Sequence, residues 1–205
     1  MTTVGSRFIV FEGTHGSGKT TQAELFKNYL DDQGIAAIYT KEPYLDDLKK
    51  IIDKYSYIDN EISSYILLYL HAADRFAHIK YIKDKLENGI NVIADRYLLS
   101  SCVYQQIQGI PLSLIEQTNF FCIEPDLTFI FDVPLSERRE RLSKSGRLRN
   151  TIFLNDEAMR LEDKLYKKIH NRYEIIWRNI KLVDGRNEIE TVHREVIKLA
   201  TQLNR

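Results

Sequence analysis

Residues 8–20 read FIVFEGTHGSGKT, and this stretch decides the fold. Phe8–Phe11 is short, apolar and rich in β-branched and aromatic residues, the pattern of a buried strand. Gly13 to Thr20 then satisfies G-x-x-x-x-G-K-[ST] in full, and the helical pattern TQAELFKNYL follows at once. Glycines at these positions let backbone N–H groups turn inward and form an anion-binding nest. The helix N-terminus behind them adds its positive end. Lys19 is expected to reach β- and γ-phosphates, and the Thr20 hydroxyl to ligate Mg²⁺. The phosphate-binding set is therefore Gly13, Thr14, His15, Gly16, Ser17, Gly18, Lys19, Thr20 and Thr21. A Gly-rich turn with no ligand would explain neither the Lys-Thr pair nor the flanking strand and helix.

Outward from this loop, short β-rich runs alternate with helical patterns. Strands are expected at Phe8–Phe11, Ile35–Tyr39, Asn91–Ala94, Leu127–Asp132 and Lys181–Val183. Helices are expected over 19–32, 61–87, 97–107, 112–120, 135–144, 157–178 and 188–203. Such alternation predicts an α/β fold with a parallel five-stranded sheet flanked by helices on both faces. Gly34 and Gly89 fall just past two helices, where a left-handed residue costs least. No repeat and no Pro/Gly/Ser linker interrupts the chain, so residues 1–205 are read as one domain.

A second constellation, Asn91-Val-Ile-Ala-Asp95-Arg96-Tyr97, closes the third strand. It puts Asp95 and Arg96 at the carboxyl edge of the sheet, where open α/β sheets bind ligands. Asp95 could hold Mg²⁺ through water or accept a hydrogen bond near the attacking group. Arg96 could clamp an acceptor phosphate with two parallel hydrogen bonds.

Residues 143–156, SKSGRLRNTIFLND, are polar and basic and lie between two helical patterns. They read either as a surface loop or as a mobile, arginine-bearing lid that closes over a nucleotide.

Lys+Arg and Asp+Glu both number 29, giving a formal net charge of zero. A nucleic-acid partner usually demands a basic excess, so a small anion in a local pocket is the better expectation. Cys102 and Cys122 form no CxxC pair and no Cys/His cluster, which argues against zinc and against a disulfide framework. The start, MTTVGSRFIVFEG, carries no signal-peptide pattern, and FIVF is far too short to cross a membrane. These features predict a cytoplasmic location with no membrane partner.

Taken together, several motifs resemble those of the thymidylate kinase family of P-loop nucleoside-monophosphate kinases. FEGTHGSGKTTQ is similar to its opening. Asp95-Arg96-Tyr97, Ser100-Ser101 and Tyr104-Gln105 resemble its DRY–SS–YQ segment. Leu67-Leu68 to Arg75 resembles its LLFAADR helix, and Thr40-Lys41-Glu42-Pro43 its TREP loop. Pro125–Thr128 with Asp132–Pro134, and Val183-Asp184-Gly185, are similar to its last two strands. The resemblance spans nearly the whole chain in order.

It implies a P-loop NTPase fold, ATP as phosphoryl donor, Mg²⁺ as cofactor, dTMP as acceptor and a homodimer. It also implies that Lys19, Asp95 and Arg96 are catalytic, with Arg96 on the acceptor phosphate. Arg75 would reach the base, and Ser101 and Gln105 would bond near it. Tyr104 would pack on the sugar, and Pro43 and Glu42 would lie at the pocket. Some family members carry an arginine at position 16. Gly16 here implies that the lid, roughly 143–160, supplies that cation from Arg147, Arg149 or Arg160, the last because Arg160-Leu161-Glu162 resembles the family's RxE element.

Three residues depart from the family pattern. His15 stands where aspartate is usual, near the acceptor sugar. His71 replaces a phenylalanine that stacks on the base, and reads either as a stacking ring or as a core histidine. Lys41 replaces the TREP arginine. Two of the three touch the acceptor pocket, so a relaxed or shifted acceptor is the alternative. A deoxynucleoside kinase, with Glu42 as a base, is a further rival. A non-catalytic nucleotide switch is another, although the NKxD motif such proteins use is absent.

Overall fold

The computed structural model describes residues 5–146 and 154–204, the side chain of residue 204 excepted. Five strands, β1 (Phe8–Gly13), β2 (Ala37–Lys41), β3 (Asn91–Asp95), β4 (Leu127–Asp132) and β5 (Ile180–Asp184), form one sheet in the order β2-β3-β1-β4-β5. Every pairing is parallel, as the strand–helix alternation predicts. The chain builds outward from β1 in one direction through β3 and β2, and in the other through β4 and β5. The phosphate loop after β1 thus sits where the order reverses, the crevice in which open α/β sheets hold ligands.

Alternation along each strand gives the sheet two apolar faces. Phe8 and Val10 point into one cluster with Val92, Ala94 and Ile130, covered by α3 (Glu61–Glu87), α4 (Leu98–Ile107) and α7 (Asp156–Ile176). Ile9 and Phe11 point into the other with Ile93, Phe129 and Phe131, covered by α1 (Lys19–Asp32) and α8 (Ile189–Thr201). The connections after β3 and β4 add α5 (Leu112–Thr118) and α6 (Leu135–Lys144). No described helix is long and apolar enough to cross a membrane.

Three expectations change. The strand expected at Ile35–Tyr39 runs Ala37–Lys41 instead. Ile35 N–H is spent on Leu30 O at 2.9 Å, closing α1 behind Gly34, so pairing begins later and extends to Lys41 beside Asp95. A helix, α2 (Asp46–Tyr55), occupies a stretch to which the sequence reading assigns no element. Its start is fixed by a remote side chain: Asp74 on α3 accepts from Tyr44 N and Leu45 N, both at 2.7 Å. The helix expected over 157–178 stops at Ile176 because Trp177 turns extended and leads into β5. Gly34 and Gly89 take the expected left-handed conformation.

Candidate active site

The phosphate loop is shaped by glycine where backbone leaves no room for a Cβ at Gly13 and little at Gly16. At Gly13 a Cβ would lie 2.7 Å from Phe131 O, and at Gly16 it would lie 3.0 Å from Arg138 O. Gly16 and Gly18 both have positive φ, at 78° and 93°. Lys19 folds back over the loop and donates to Thr14 O at 3.2 Å. Burial, and then the Arg96 charge, lower its pKa to about 7, against the pull of Asp95, Glu162 and Glu12. An ammonium so poorly satisfied is poised to take an anion.

Register brings the second constellation alongside. Phe11 pairs with Asp95, and Arg96 N donates to Phe11 O at 2.9 Å. The Asp95 carboxylate is fully buried. Its Oδ2 accepts from Thr20 Oγ1 at 2.6 Å, from Tyr39 OH at 3.2 Å and from Lys41 Nζ at 3.1 Å. Its Oδ1 is buried with no hydrogen-bond partner among the described residues. Burial works to raise the Asp95 pKa, but Lys19, Lys41 and Arg96 outweigh it and keep the group ionised. A hydroxyl and an unsatisfied carboxylate oxygen side by side are the donor set that Mg²⁺ takes beside phosphates, so these residues fit that ion.

Arg96 is the only described residue other than glycine with positive φ, at 78°. The left-handed backbone turns its side chain over the Tyr104 ring, 5.0 Å from guanidinium to centroid. Its Nη1 donates to Ser100 Oγ at 2.9 Å and Tyr104 OH at 3.1 Å. Glu12, wholly buried, accepts from Tyr97 N, Ser100 N and Ser100 Oγ, and so caps α4 from the neighbouring strand. Burial raises the Glu12 pKa against these bonds.

A cavity of about 650 Å³ opens above the loop, within the range of nucleotide pockets. Its walls include Gly16 to Thr21, His15, Arg96 and Lys41. On the far side lie Arg141 at the end of α6 and the segment from Gly185 to Ile189. Arg141 is anchored by donation to Gly185 O at 2.9 Å.

Beside this cavity lies a buried polar cluster. Arg75, 1% exposed, grips Glu42 with Nε at 3.1 and 3.0 Å and with Nη2 at 2.6 Å. It also donates to Asn119 Oδ1 at 2.6 Å and Ser101 Oγ at 2.8 Å. His78 completes the cluster, with Nδ1 3.2 Å from Glu42 Oε1. Burial works to raise the Glu42 pKa, but Arg75 and then His78 outweigh it and hold Glu42 as a carboxylate. Ser101 and Gln105 both face inward, and Gln105 Oε1 has no partner among the described residues. Pro43, joined to Glu42 by a cis peptide, is half-buried, as is His71. Burial, then Arg75, lower the His71 pKa to about 4, so its ring is neutral.

Most of the expected lid falls on residues 147–153, outside the described residues. Arg147 and Arg149 lie outside the described residues. Arg160 is exposed on α7 and does not line the cavity. Two residues on, Glu162 points into the site instead. Its Oε1 accepts from His15 N and His15 Nδ1, both at 2.9 Å, and from Tyr104 OH at 2.6 Å. Arg138 on α6, fully buried, donates to Glu162 Oε2 at 2.8 Å and to His15 O at 3.2 Å. His78, Asn119, Arg138 and Arg141 are thus site residues that the sequence motifs did not single out, while Glu12 and Glu162 fall within motifs that assign them no role. Glu12 left a physical signal besides: a charge that ends an apolar strand must be buried with partners.

With this geometry established, comparisons with known proteins agree. A family model described as thymidylate kinase matches residues 11–196. The chain is similar to a probable thymidylate kinase of Methanococcus aeolicus, 40% identical over 196 residues, covering 94% of this chain and 95% of that one. It is similar to another from Pyrococcus horikoshii, 36% identical over 200 residues and 94% of each chain. A third, from Methanocaldococcus jannaschii, is 33% identical over 195 residues and 95% of each.

Proposed function

The chain belongs to the thymidylate kinase family, and on that premise we propose that it moves the γ-phosphoryl group of ATP onto dTMP, yielding ADP and dTDP. The observation that carries the reading is the pairing of two anion sites across adjacent strands. One is the loop Gly13–Thr20 after β1, and the other is Arg96 after β3. Lys19 and the loop amides hold the donor phosphates. Arg96, steered by Ser100 and Tyr104, clamps the acceptor phosphate. A monophosphate oxygen is already anionic at neutral pH, so no strong base is needed and positioning does most of the work. Thr20 and Asp95 would hold Mg²⁺, which when bound offsets the charge of the donor phosphates. Arg147 or Arg149 would cover the transferred group, with Arg160 the less favoured candidate because it is exposed and off the cavity.

Arg75, Ser101, Gln105, Pro43, Glu42 and His71 are proposed for the base and Tyr104 for the sugar. His71 and His15 favour a second reading in which the acceptor preference is shifted among monophosphates. A nucleoside kinase is disfavoured because Glu42 is committed to Arg75 and His78. A homodimer through α3 is proposed from Ile62, Tyr69 and Phe76, which are 73%, 56% and 63% exposed along that helix. The proposed setting is the cytoplasm, which supplies both nucleotides and keeps Cys102 and Cys122 reduced. The ³¹P spectrum of ATP and dTMP incubated with the protein tests the reaction: dTDP and ADP resonances appear together, and ADP with free phosphate would reject transfer.

A further inference from the structure

We propose that Glu162 is a positioning residue for the acceptor half of the site, fixing the tip of the phosphate loop through His15 and the Arg96 guanidinium through Tyr104. The inference rests on the proposed transfer to a monophosphate and gives a role to Glu162, the residue of the Arg160-Leu161-Glu162 stretch that the sequence reading leaves without one.

The geometry is specific. The His15 peptide is gripped on both sides by one buried ion pair, since Glu162 accepts its N–H at 2.9 Å and Arg138 donates to its carbonyl at 3.2 Å. The same carboxylate oxygen takes the ring at 2.9 Å. A carboxylate only accepts, so Nδ1 carries a proton; burial lowers the ring's pKa to about 4 and keeps it neutral, which leaves Nε2 as an acceptor. The His15 side chain is 27% exposed and lines the nucleotide cavity, so that acceptor is available to a ligand hydroxyl.

The second arm runs to Arg96. Two hydroxyls receive its Nη1, and each is backed by a buried carboxylate. Ser100 Oγ donates to Glu12 Oε2 at 2.6 Å, and Tyr104 OH donates to Glu162 Oε1 at 2.6 Å. These carboxylates turn the hydroxyl lone pairs toward the guanidinium, which fixes its plane.

A residue needed only to neutralise Arg138 would make one contact, and Asp163 already contributes at 2.5 Å. Glu162 makes three more, all to groups at the phosphate sites. Glu162 lies on α7, the helix that follows the arginine-bearing segment, so it ties that helix directly to the acceptor clamp.

The test is steady-state kinetics of E162Q, Y104F and the double variant in the full chain, with KM for dTMP and for MgATP measured separately alongside thermal melting. E162Q keeps the shape and removes the charge. Its KM for dTMP is expected to rise about tenfold, the scale of a lost charge-assisted hydrogen bond, with KM for MgATP within about twofold. Y104F should shift the same constant in the same direction, and the double variant should be no worse than E162Q, since both cut one link. An unchanged KM for dTMP in folded E162Q, equal rises in both constants, or additive effects would overturn the proposal. Should E162Q not fold, E162D, which keeps the charge beside Arg138 but shortens its reach to His15 and Tyr104, decides: a selective rise in the dTMP constant upholds the proposal and no rise rejects it. The wild-type protein separates the two claims. Failure to turn over dTMP refutes the substrate reading, and the Glu162 comparison is then made on the monophosphate that wild type does use.

Discussion

The Thr20 hydroxyl donates to Asp95 Oδ2 at 2.6 Å, while Oδ1 of the same buried carboxylate has no partner among the described residues. A side chain already paired on one oxygen and unsatisfied on the other is prepared for a cation beside the phosphates. Asp95→Asn keeps the shape and removes the charge. It is expected to weaken Mn²⁺ binding to the ATP-bound protein about tenfold or more, read by isothermal titration. Equal affinity in the variant would remove Asp95 from the metal site.

Lys19 makes nucleotide binding depend on pH. Burial, then Arg96, lower its pKa from 10.5 to about 7, so near neutrality the free protein is part deprotonated. Phosphates favour the charged form and raise that pKa in the complex. Binding is therefore tightest below about pH 7 and weakens as pH rises through it, with proton uptake. For folding, the sign is the opposite of a stabilised lysine. The burial cost is fully present below pH 7 and is relieved as pH climbs toward the unfolded value. Calorimetry of ATP binding at pH 8 in buffers of different ionisation enthalpy should show uptake, and Lys19→Met should abolish it.

Arg96 occupies a backbone conformation that disfavours side chains, with φ at 78°. Arg96→Gly relieves strain of about 1 kcal/mol while losing the guanidinium and its two hydrogen bonds. Melting temperature should stay within a few degrees, whereas KM for the acceptor rises on the order of a hundredfold. A variant that loses stability and acceptor affinity together would make Arg96 a structural residue.

Gly16 sits where the arginine that some family members carry would strain the loop. A Cβ would stand 3.0 Å from Arg138 O and 3.1 Å from Leu142 Cγ, at a φ of 78°. Gly16→Arg is expected to cost about 1–3 kcal/mol in urea unfolding and to lower turnover rather than supply a cation. A variant of undiminished stability would show that α6 yields at this contact.

The sheet and its phosphate loop were legible because their signals are local. An apolar strand, a Gly-Lys-Thr loop and a helix follow one another within residues 8–32, and DRY marks a second strand end. What escaped is made by distant pairs. Helix α2 begins where Asp74, about thirty residues on, accepts two backbone N–H groups. Arg138 and Glu162 meet across a sequence gap of 24 residues, and Glu162 reaches His15 across 147. Neither Arg138 nor Glu162 departs locally from an ordinary amphipathic helix, so periodicity assigns both to a charged surface although both are fully buried. The Arg160-Leu161-Glu162 stretch drew attention to its arginine, while the fold turns Glu162 inward.

The most direct measurement is acceptor-dependent ADP release with MgATP against dTMP, dUMP, dCMP, dGMP, UMP and thymidine. Turnover on dTMP is expected to exceed that on every other acceptor, with none on thymidine and with His15 and His71 accommodated in the pocket. Release of ADP with thymidine but not with dTMP would contradict it.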